Sequence, residues 1–338
     1  MLKATEDSRV LITGGAGFIG SHLVDSLLRL GYEVTVLDNF STGSEDNLRE
    51  LNQPSDDLQV IEGSTGDSDL VRQLVDESDF VFHLASAVGV QLIVGNTYES
   101  LISNVRGVDN VLHAVTEFGK PLIFSSTSEV YGKNSEGELS EDSDRLLGPP
   151  QVARWSYAIA KSFGEALAFS LCREKGAQIG VVRLFNTTGP RQKSSYGMVL
   201  PTFVRQAISS SDITVFGDGV QSRCFAHVSD SVNALVSLAT HRSAFGEVFN
   251  IGAGYEVPIV ELARQVIERT GADVEIQYVP FEQAYGDGFE ELGRRKPNTD
   301  ALEALTGWSA QKTLDEIIDD TIAYERAKVE SARSLVAH

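Results

Sequence analysis

The sequence predicts an α/β protein, a doubly wound parallel sheet followed by a smaller C-terminal substrate-binding part. Three observations predict it: short apolar runs alternate with helical patterns from residue 8 to about residue 185, a glycine-rich turn follows the first run, and an acid ends the second. Such alternation places helices on both faces of a parallel sheet. A glycine turn at the first strand–helix junction marks the place where a dinucleotide can meet backbone N–H groups.

Residues 8–13, Ser-Arg-Val-Leu-Ile-Thr, read as the first strand, and SHLVDSLLRLG carries the first helix. Between them stand Gly14-Gly15-Ala16-Gly17-Phe18-Ile19-Gly20, in which Gly15, Gly17 and Gly20 fit G-x-G-x-x-G and Gly14, Gly17 and Gly20 fit the wider-spaced variant. The glycines permit the tight turn and bring pyrophosphate to the helix N-terminus, where the dipole favours an anion. Residues 33–38 form the second strand and end on Asp38, followed by Asn39. That acid accepts from both hydroxyls of an adenosine ribose and repels a 2′-phosphate, so NAD is preferred to NADP.

A strand at 58–62 leads to Gly63-Ser64, a helix lies near 67–76, and a strand at 79–84 ends in Leu84. Ala85-Ser86-Ala87 then supplies small residues past which a cofactor can approach the backbone, although loop packing explains them equally well. His83 reads as a core or strand-end histidine. After a long helix near 97–118, the strand at 121–126 runs into Ser125-Ser126-Thr127-Ser128-Glu129. Strand C-terminal ends border the ligand crevice of such a sheet, so these hydroxyls and this carboxylate are placed beside the cofactor.

An acidic loop over 133–153 precedes Arg154-Trp155-Ser156-Tyr157-Ala158-Ile159-Ala160-Lys161, on a helix expected to run to about Lys175. The i, i+4 spacing puts Tyr157 and Lys161 on one helix face. An ammonium close to a phenol favours the phenolate, which lowers the tyrosine pKa and makes Tyr157 a usable base. Tyr-x-x-x-Lys alone also describes an ordinary amphipathic helix. Its pairing with the glycine turn and the hydroxyl cluster gives it chemistry.

The strand at 180–185 delivers Asn186-Thr187-Thr188-Gly189-Pro190-Arg191, and there the alternation loosens. A helix at 198–209 carries Val199, a strand at 213–216 ends on Phe216, and a glycine turn leads to Gln221 and Arg223. A helix near 229–241 and a strand at 247–251 return to the large sheet, and helices follow at 258–270 and 313–330 around the basic cluster Arg294-Arg295-Lys296. The expected division gives 1–186 and 224–253 to the cofactor part and 187–223 and 254–326 to the substrate part. Residues 327–338 are expected to be a disordered tail.

A formal net charge of −20 argues against nucleic acid as a partner, so arginines close to a motif are the informative cations. No apolar run reaches the roughly 18 residues of a membrane span, and MLKATEDSRV lacks the apolar segment of a signal peptide, so a cytoplasmic protein is expected. Cys172 and Cys224 stand in no metal-like spacing with the six histidines. They read as reduced thiols, and no metal is expected.

With the glycine turn, Asp38, Thr127-Ser128-Glu129 and Tyr157-x-x-x-Lys161 in this order, followed by RLFNTTGPR, TVFGDGVQSRCFAHVSD and RRKP, the chain resembles the extended short-chain dehydrogenase/reductase family. These are nucleotide-sugar epimerases, decarboxylases and dehydratases, and the resemblance covers about residues 8–325. It implies a Rossmann-type fold with NAD held by Gly14, Gly17, Phe18, Ile19, Gly20, Asp38, Asn39, Ser64, Leu84, Ala85, Tyr157 and Lys161. One departure stands out, because Gly63-Ser64 occupies the place of a Gly-Asp pair whose aspartate binds adenine. The resemblance further implies a UDP-sugar held by Thr127, Ser128, Asn186, Arg191, Val199, Phe216, Gln221, Arg223 and Arg295, and a homodimer through the helices near 97–118 and 155–175.

By the same resemblance, Tyr157 takes the proton of the sugar C4 hydroxyl, Lys161 holds the tyrosine ionised and Thr127 bonds the reacting oxygen, with Ser128 and Glu129 beside them. Dehydratases carry Thr-Asp-Glu at this strand end, so Ser128 argues against dehydration. Thr127-Ser128-Glu129 instead resembles enzymes acting on UDP-glucuronate, where Ser128, Glu129 and Arg191 or Arg295 would clamp the carboxylate. RWSYAIAK looks most like bacterial UDP-glucuronate 4-epimerases, which favours epimerisation to UDP-galacturonate. UDP-glucuronate decarboxylation is the alternative, and UDP-glucose 4-epimerisation stands third. A catalytically silent NAD sensor is disfavoured by the presence of Thr127, Tyr157 and Lys161 together.

Overall fold

In β1 (Arg9–Thr13) Val10 and Ile12 point to one face of the sheet and Leu11 to the other, all buried, the two-sided burial that a central parallel strand requires. The computed structural model describes residues 1–2, 8–49, 56–86, 97–194, 198–281, 283 and 294–336. Ala87 lies outside them. After β1 come α1 (Phe18–Arg29), β2 (Glu33–Asp38), α2 (Glu45–Arg49), β3 (Leu58–Glu62), α3 (Ser68–Asp76), β4 (Phe80–His83) and α4 (Thr97–Phe118). Next are β5 (Leu122–Thr127), α5 (Trp155–Lys175), β6 (Ile179–Leu184), β7 (Thr187–Thr188), α6 (Val199–Ile208), β8 (Ile213–Phe216), β9 (Ser222–Arg223) and β10 (Ala226–His227). The remainder is α7 (Val228–Ala239), β11 (Val248–Ile251), β12 (Val257–Pro258), α8 (Ile259–Thr270), β13 (Ile276–Val279), α9 (Asp300–Thr306) and α10 (Leu314–Val336).

Seven strands form one sheet in the order β3-β2-β1-β4-β5-β6-β11, and every pairing is parallel. The order reverses at β1, which opens a crevice above the C-terminal ends of β1 and β4. Val10, Ile12, Phe80 and Phe82 pack with α1 and α7 on one face, while Leu11, Val81 and Phe124 pack with α3, α4 and α5 on the other. Local signals set the helix ends: Asp67 caps α3 by accepting from the N–H groups of Asp69 and Leu70, and Gly176 ends α5 in the left-handed conformation. A third apolar cluster joins α6, β8, α8 and α10 through Phe203, Val215, Leu262 and Ile318.

The terminal segment differs from expectation. α10 stays helical to Val336 instead of becoming disordered from residue 327, because Ile317, Ile318 and Ile322 anchor its first half and Ala327, Lys328 and Glu330 are good helix formers. Among the described residues no helix is long and apolar enough to cross a membrane.

Beneath α5 lies a buried polar network. Arg183 of β6 donates from Nε and Nη2 to the two carboxylate oxygens of Glu165 at 3.1 and 2.9 Å, and Arg145 and Ser126 bond the same carboxylate. The third Arg183 nitrogen, Nη1, donates to the hydroxyl of Tyr131 (2.8 Å), which donates in turn to Asn250 (2.7 Å). Removing Glu165 leaves the buried Arg183 guanidinium without its counter-charge. Glu165→Ala should therefore lower the unfolding free energy measured in urea by about 3–5 kcal/mol; a loss below about 1 kcal/mol would show that the network carries no such weight.

Candidate active site

The C-terminal ends of the strands open on a cavity of about 690 Å³. Its cofactor side is shaped by missing side chains. At Gly14, where φ is +77°, a Cβ would lie 2.7 Å from the Ala85 nitrogen, and at Gly20 it would lie 2.1 Å from the Gly14 carbonyl oxygen. Gly15 packs differently, against Val36 of β2. α1 starts at Phe18 after Gly17 with no side-chain cap, leaving an open helix N-terminus of the kind a pyrophosphate binds.

Asp38 fastens this turn to the loop after β2. Its Oδ2 accepts from the Ala16 N–H and its Oδ1 from the Phe40 N–H, both at 2.9 Å, and burial raises its pKa despite these bonds. Asn39 accepts from the Ser41 N–H and hydroxyl (3.1 and 2.7 Å). Ser64 lines the cavity where the resemblance expects an aspartate, but its hydroxyl accepts from the Gly66 N–H (3.1 Å) within its own turn. With Ile19, Leu84 and Ala85 also in the wall, the glycine cradle, the acid at the end of β2 and the open helix terminus fit NAD.

Tyr157 lines the cavity, with the hydroxyls of Ser86 and Thr127 near its phenol. Lys161 donates from Nζ to the Ser125 carbonyl (2.8 Å) and lies 5.9 Å from the centre of the Tyr157 ring. The expected lowering of the tyrosine pKa is not what this arrangement produces. Burial raises the Tyr157 pKa, the Glu129 charge adds to the rise, and burial pushes Lys161 down to about 7 while Glu165 pulls it back up. The i, i+4 spacing does put both groups on one face, but desolvation outweighs their mutual electrostatics.

Glu129 forms the charged wall beside this pair. Burial opposes its charge, yet Arg295, which donates to it, and Arg154, whose Nη2 lies 3.5 Å from Oε2, hold its carboxyl below the usual range. Arg295 also reaches the Ser128 hydroxyl at 3.5 Å, and Thr127 accepts from the Glu129 N–H at 3.2 Å. Of the two arginines expected as clamp candidates, Arg295 meets Glu129, while Arg191 lines the cavity with its Nη2 2.8 Å from Asp25 of α1. The second cation at Glu129 is Arg154. Trp155 next to it is buried outside the cavity wall, with the Arg154 and Lys133 cations 5.8 and 5.7 Å from its ring centre.

Farther out, Asn186, Val199, Phe216, Gln221 and Arg223 line the same cavity. Asn186 donates to the Cys224 carbonyl (3.3 Å), Gln221 to the Phe216 carbonyl (3.0 Å) and Arg223 to the Ser222 carbonyl (2.7 Å). Within the basic cluster only Arg295 enters the cavity, since Arg294 pairs with Glu256 and Lys296 with Glu138. His83 is a core residue: Nδ1 meets the Thr13 hydroxyl at 2.7 Å, the ring stacks on Phe124, and burial pushes its pKa down to about 3.

Sequence reasoning left two of the residues around Tyr157 and Glu129 without a role. Ser86 carried a weak signal as a serine just past a strand end, and Arg154 stood next to the tyrosine motif without any indication of which way it points.

A family model described as the NAD dependent epimerase/dehydratase family matches residues 10–252. A UDP-N-acetyl-alpha-D-glucosaminuronate decarboxylase from Bacillus cytotoxicus is 40% identical over 319 residues, covering 94% of this chain and 98% of its own length. UDP-glucuronic acid decarboxylase 1 from Xenopus tropicalis is 35% identical over 331 residues, covering 97% of this chain and 75% of its own. The crystal structure of UDP-glucuronic acid 4-epimerase from Bacillus cereus, in complex with UDP-glucuronic acid and NAD, superposes with a TM-score of 0.84 at 25% identity, over 95% of this chain and 99% of that one. With the glycine cradle and the Tyr157–Lys161 pair in place, the match over residues 10–252 makes the chain a member of the NAD dependent epimerase/dehydratase family.

Proposed function

We propose that the protein decarboxylates a UDP-hexuronate, UDP-glucuronate or its 2-acetamido counterpart, by way of oxidation at C4. The observation that carries this reading is the buried Arg295–Glu129–Arg154 cluster in the same cavity as Tyr157. Such a cluster suits a sugar carboxylate. The identity to two hexuronate decarboxylases supports loss of that carboxylate over its retention, which reverses the preference for epimerisation drawn from RWSYAIAK.

NAD supplies the acceptor for the C4 hydride. Burial favours the neutral phenol, so for Tyr157, beside Ser86 and Thr127, to take the C4 hydroxyl proton its phenolate would need the positive charge of Lys161, 5.9 Å from its ring centre, together with that of bound oxidised NAD. The resulting 4-ketone is a β-keto acid. Its C5–C6 bond breaks when perpendicular to the carbonyl plane, the electron pair passes into the C4–C5 enolate, C5 takes a proton, and return of the hydride to C4 with a proton from Tyr157 would restore the hydroxyl and the oxidised cofactor. Arg295 and Arg154 attract the carboxylate, whereas Glu129, held ionised between them, opposes a second negative charge at the same place. Departure of neutral carbon dioxide relieves that opposition.

Epimerisation at C4 is the second reading, favoured by the likeness to the Bacillus cereus epimerase. We also read the protein as a homodimer through α4 and α5, since Tyr98, Ile159 and Phe163 on those helices remain 69, 39 and 43% exposed.

Incubation with UDP-glucuronate and NAD should give a nucleotide sugar lighter by the mass of carbon dioxide in mass spectrometry. A product of unchanged mass that elutes as a hexuronate would establish epimerisation and overturn the proposal. Tyr157→Phe should lower turnover by at least about 100-fold while NAD still binds in a fluorescence titration; near-normal turnover would remove Tyr157 as the base. Phe163→Glu should convert a dimer to a monomer by light-scattering mass, and a monomeric wild type would refute the dimer.

A further inference from the structure

We propose that Lys193 binds the pyrophosphate of the dinucleotide, supplying from the substrate side of the cavity a full positive charge that the glycine turn lacks. The turn over residues 14–20 contains no lysine or arginine. A helix N-terminus contributes only about half a unit of positive charge, whereas a pyrophosphate diester carries about two negative charges. The cavity cations Arg154 and Arg295 are engaged by Glu129, and Arg191 by Asp25.

Lys193 differs from these. The segment 190–193 lies across the cofactor half at three points: the Pro190 carbonyl meets His22 Nε2 at 2.9 Å, Arg191 meets Asp25, and Lys193 Nζ donates to the carbonyls of Thr42 (2.9 Å) and Gly43 (2.8 Å). Gly43 rests on the glycine turn, since a Cβ there would lie 3.0 Å from the Ala16 carbonyl carbon. Ser44 N–H and Asn47 Nδ2 both donate to the Ala16 oxygen. The ammonium is thereby held beside the turn, in the cavity wall with Gly17, Phe18 and Asp38. Both its hydrogen bonds end on neutral oxygens, so among the described residues no carboxylate pairs with it and one of its three N–H groups is left to donate. Burial and the Lys328 charge lower its pKa while Asp38 and Asp46 oppose them, and the half-buried side chain stands close to where the diphosphate must lie, so an anion bound there would favour its charged form.

The test uses the full chain freed of nucleotide, with NADH fluorescence as the reporter and NAD, ADP and adenosine as competitors. Lys193→Met should weaken NAD and ADP by about tenfold or more and leave adenosine roughly unchanged, while Lys193→Arg should retain the affinity of the wild type for all three. Unchanged NAD and ADP affinities in Lys193→Met would overturn the proposal. An equal loss for adenosine would also overturn it, because Lys193 would then merely hold the 42–43 loop in place.

Discussion

The bond from Lys161 Nζ to the Ser125 carbonyl ties helix α5 to the C-terminal end of β5, and the arrangement of the whole site depends on it. Ser125 lies two to four residues before Thr127, Ser128 and Glu129, so this contact holds the helix that carries Tyr157 against the strand end that carries those side chains. A buried ammonium is costly unless it is solvated by the protein. The carbonyl does that locally, and Glu165, one helical turn farther along α5, supports the charge from beneath. Glu165 is in turn held by Arg183, Arg145 and Ser126, so the polar network under the helix and the reacting groups above it share one electrostatic foundation.

The same burial separates the roles of the two carboxylates nearest this helix. Glu165 faces the protein interior and is held by Arg183, Arg145 and the Ser126 hydroxyl, a structural ion pair. Glu129 faces the cavity and is held ionised by Arg295 and Arg154, the cations that would greet a sugar carboxylate. An enzyme that only epimerised C4 would need to keep that carboxylate comfortable. A fixed anion beside it is a reason to let it go, and it is this geometry, together with the kinship to hexuronate decarboxylases, that moves the reading away from epimerisation.

Much of this was legible in the sequence where the cause is local. The glycines at 14–20, the acid closing β2 and the two-sided apolar strands follow from backbone sterics, and their positions carry over to the structure nearly residue for residue. The helix face shared by Tyr157 and Lys161 was legible too, but not the direction of the tyrosine shift, since spacing says nothing of how far a phenol is removed from water. The approach of Arg154 to Glu129 was not legible for a similar reason, since it depends on how the start of α5 faces the end of β5, which leaves no mark in composition or periodicity. The helical continuation of α10 to Val336 was missed because a polar C-terminal stretch reads as solvent-exposed chain whether or not it is helical.

The central claim is that this site breaks the C5–C6 bond of a 4-keto hexuronate and that C5 is then protonated. Running the reaction on UDP-glucuronate in D₂O and reading the nucleotide-sugar product by proton NMR tests that step directly. The account predicts one deuterium at C5 of a five-carbon sugar. A six-carbon uronate carrying no deuterium at C5 would contradict it.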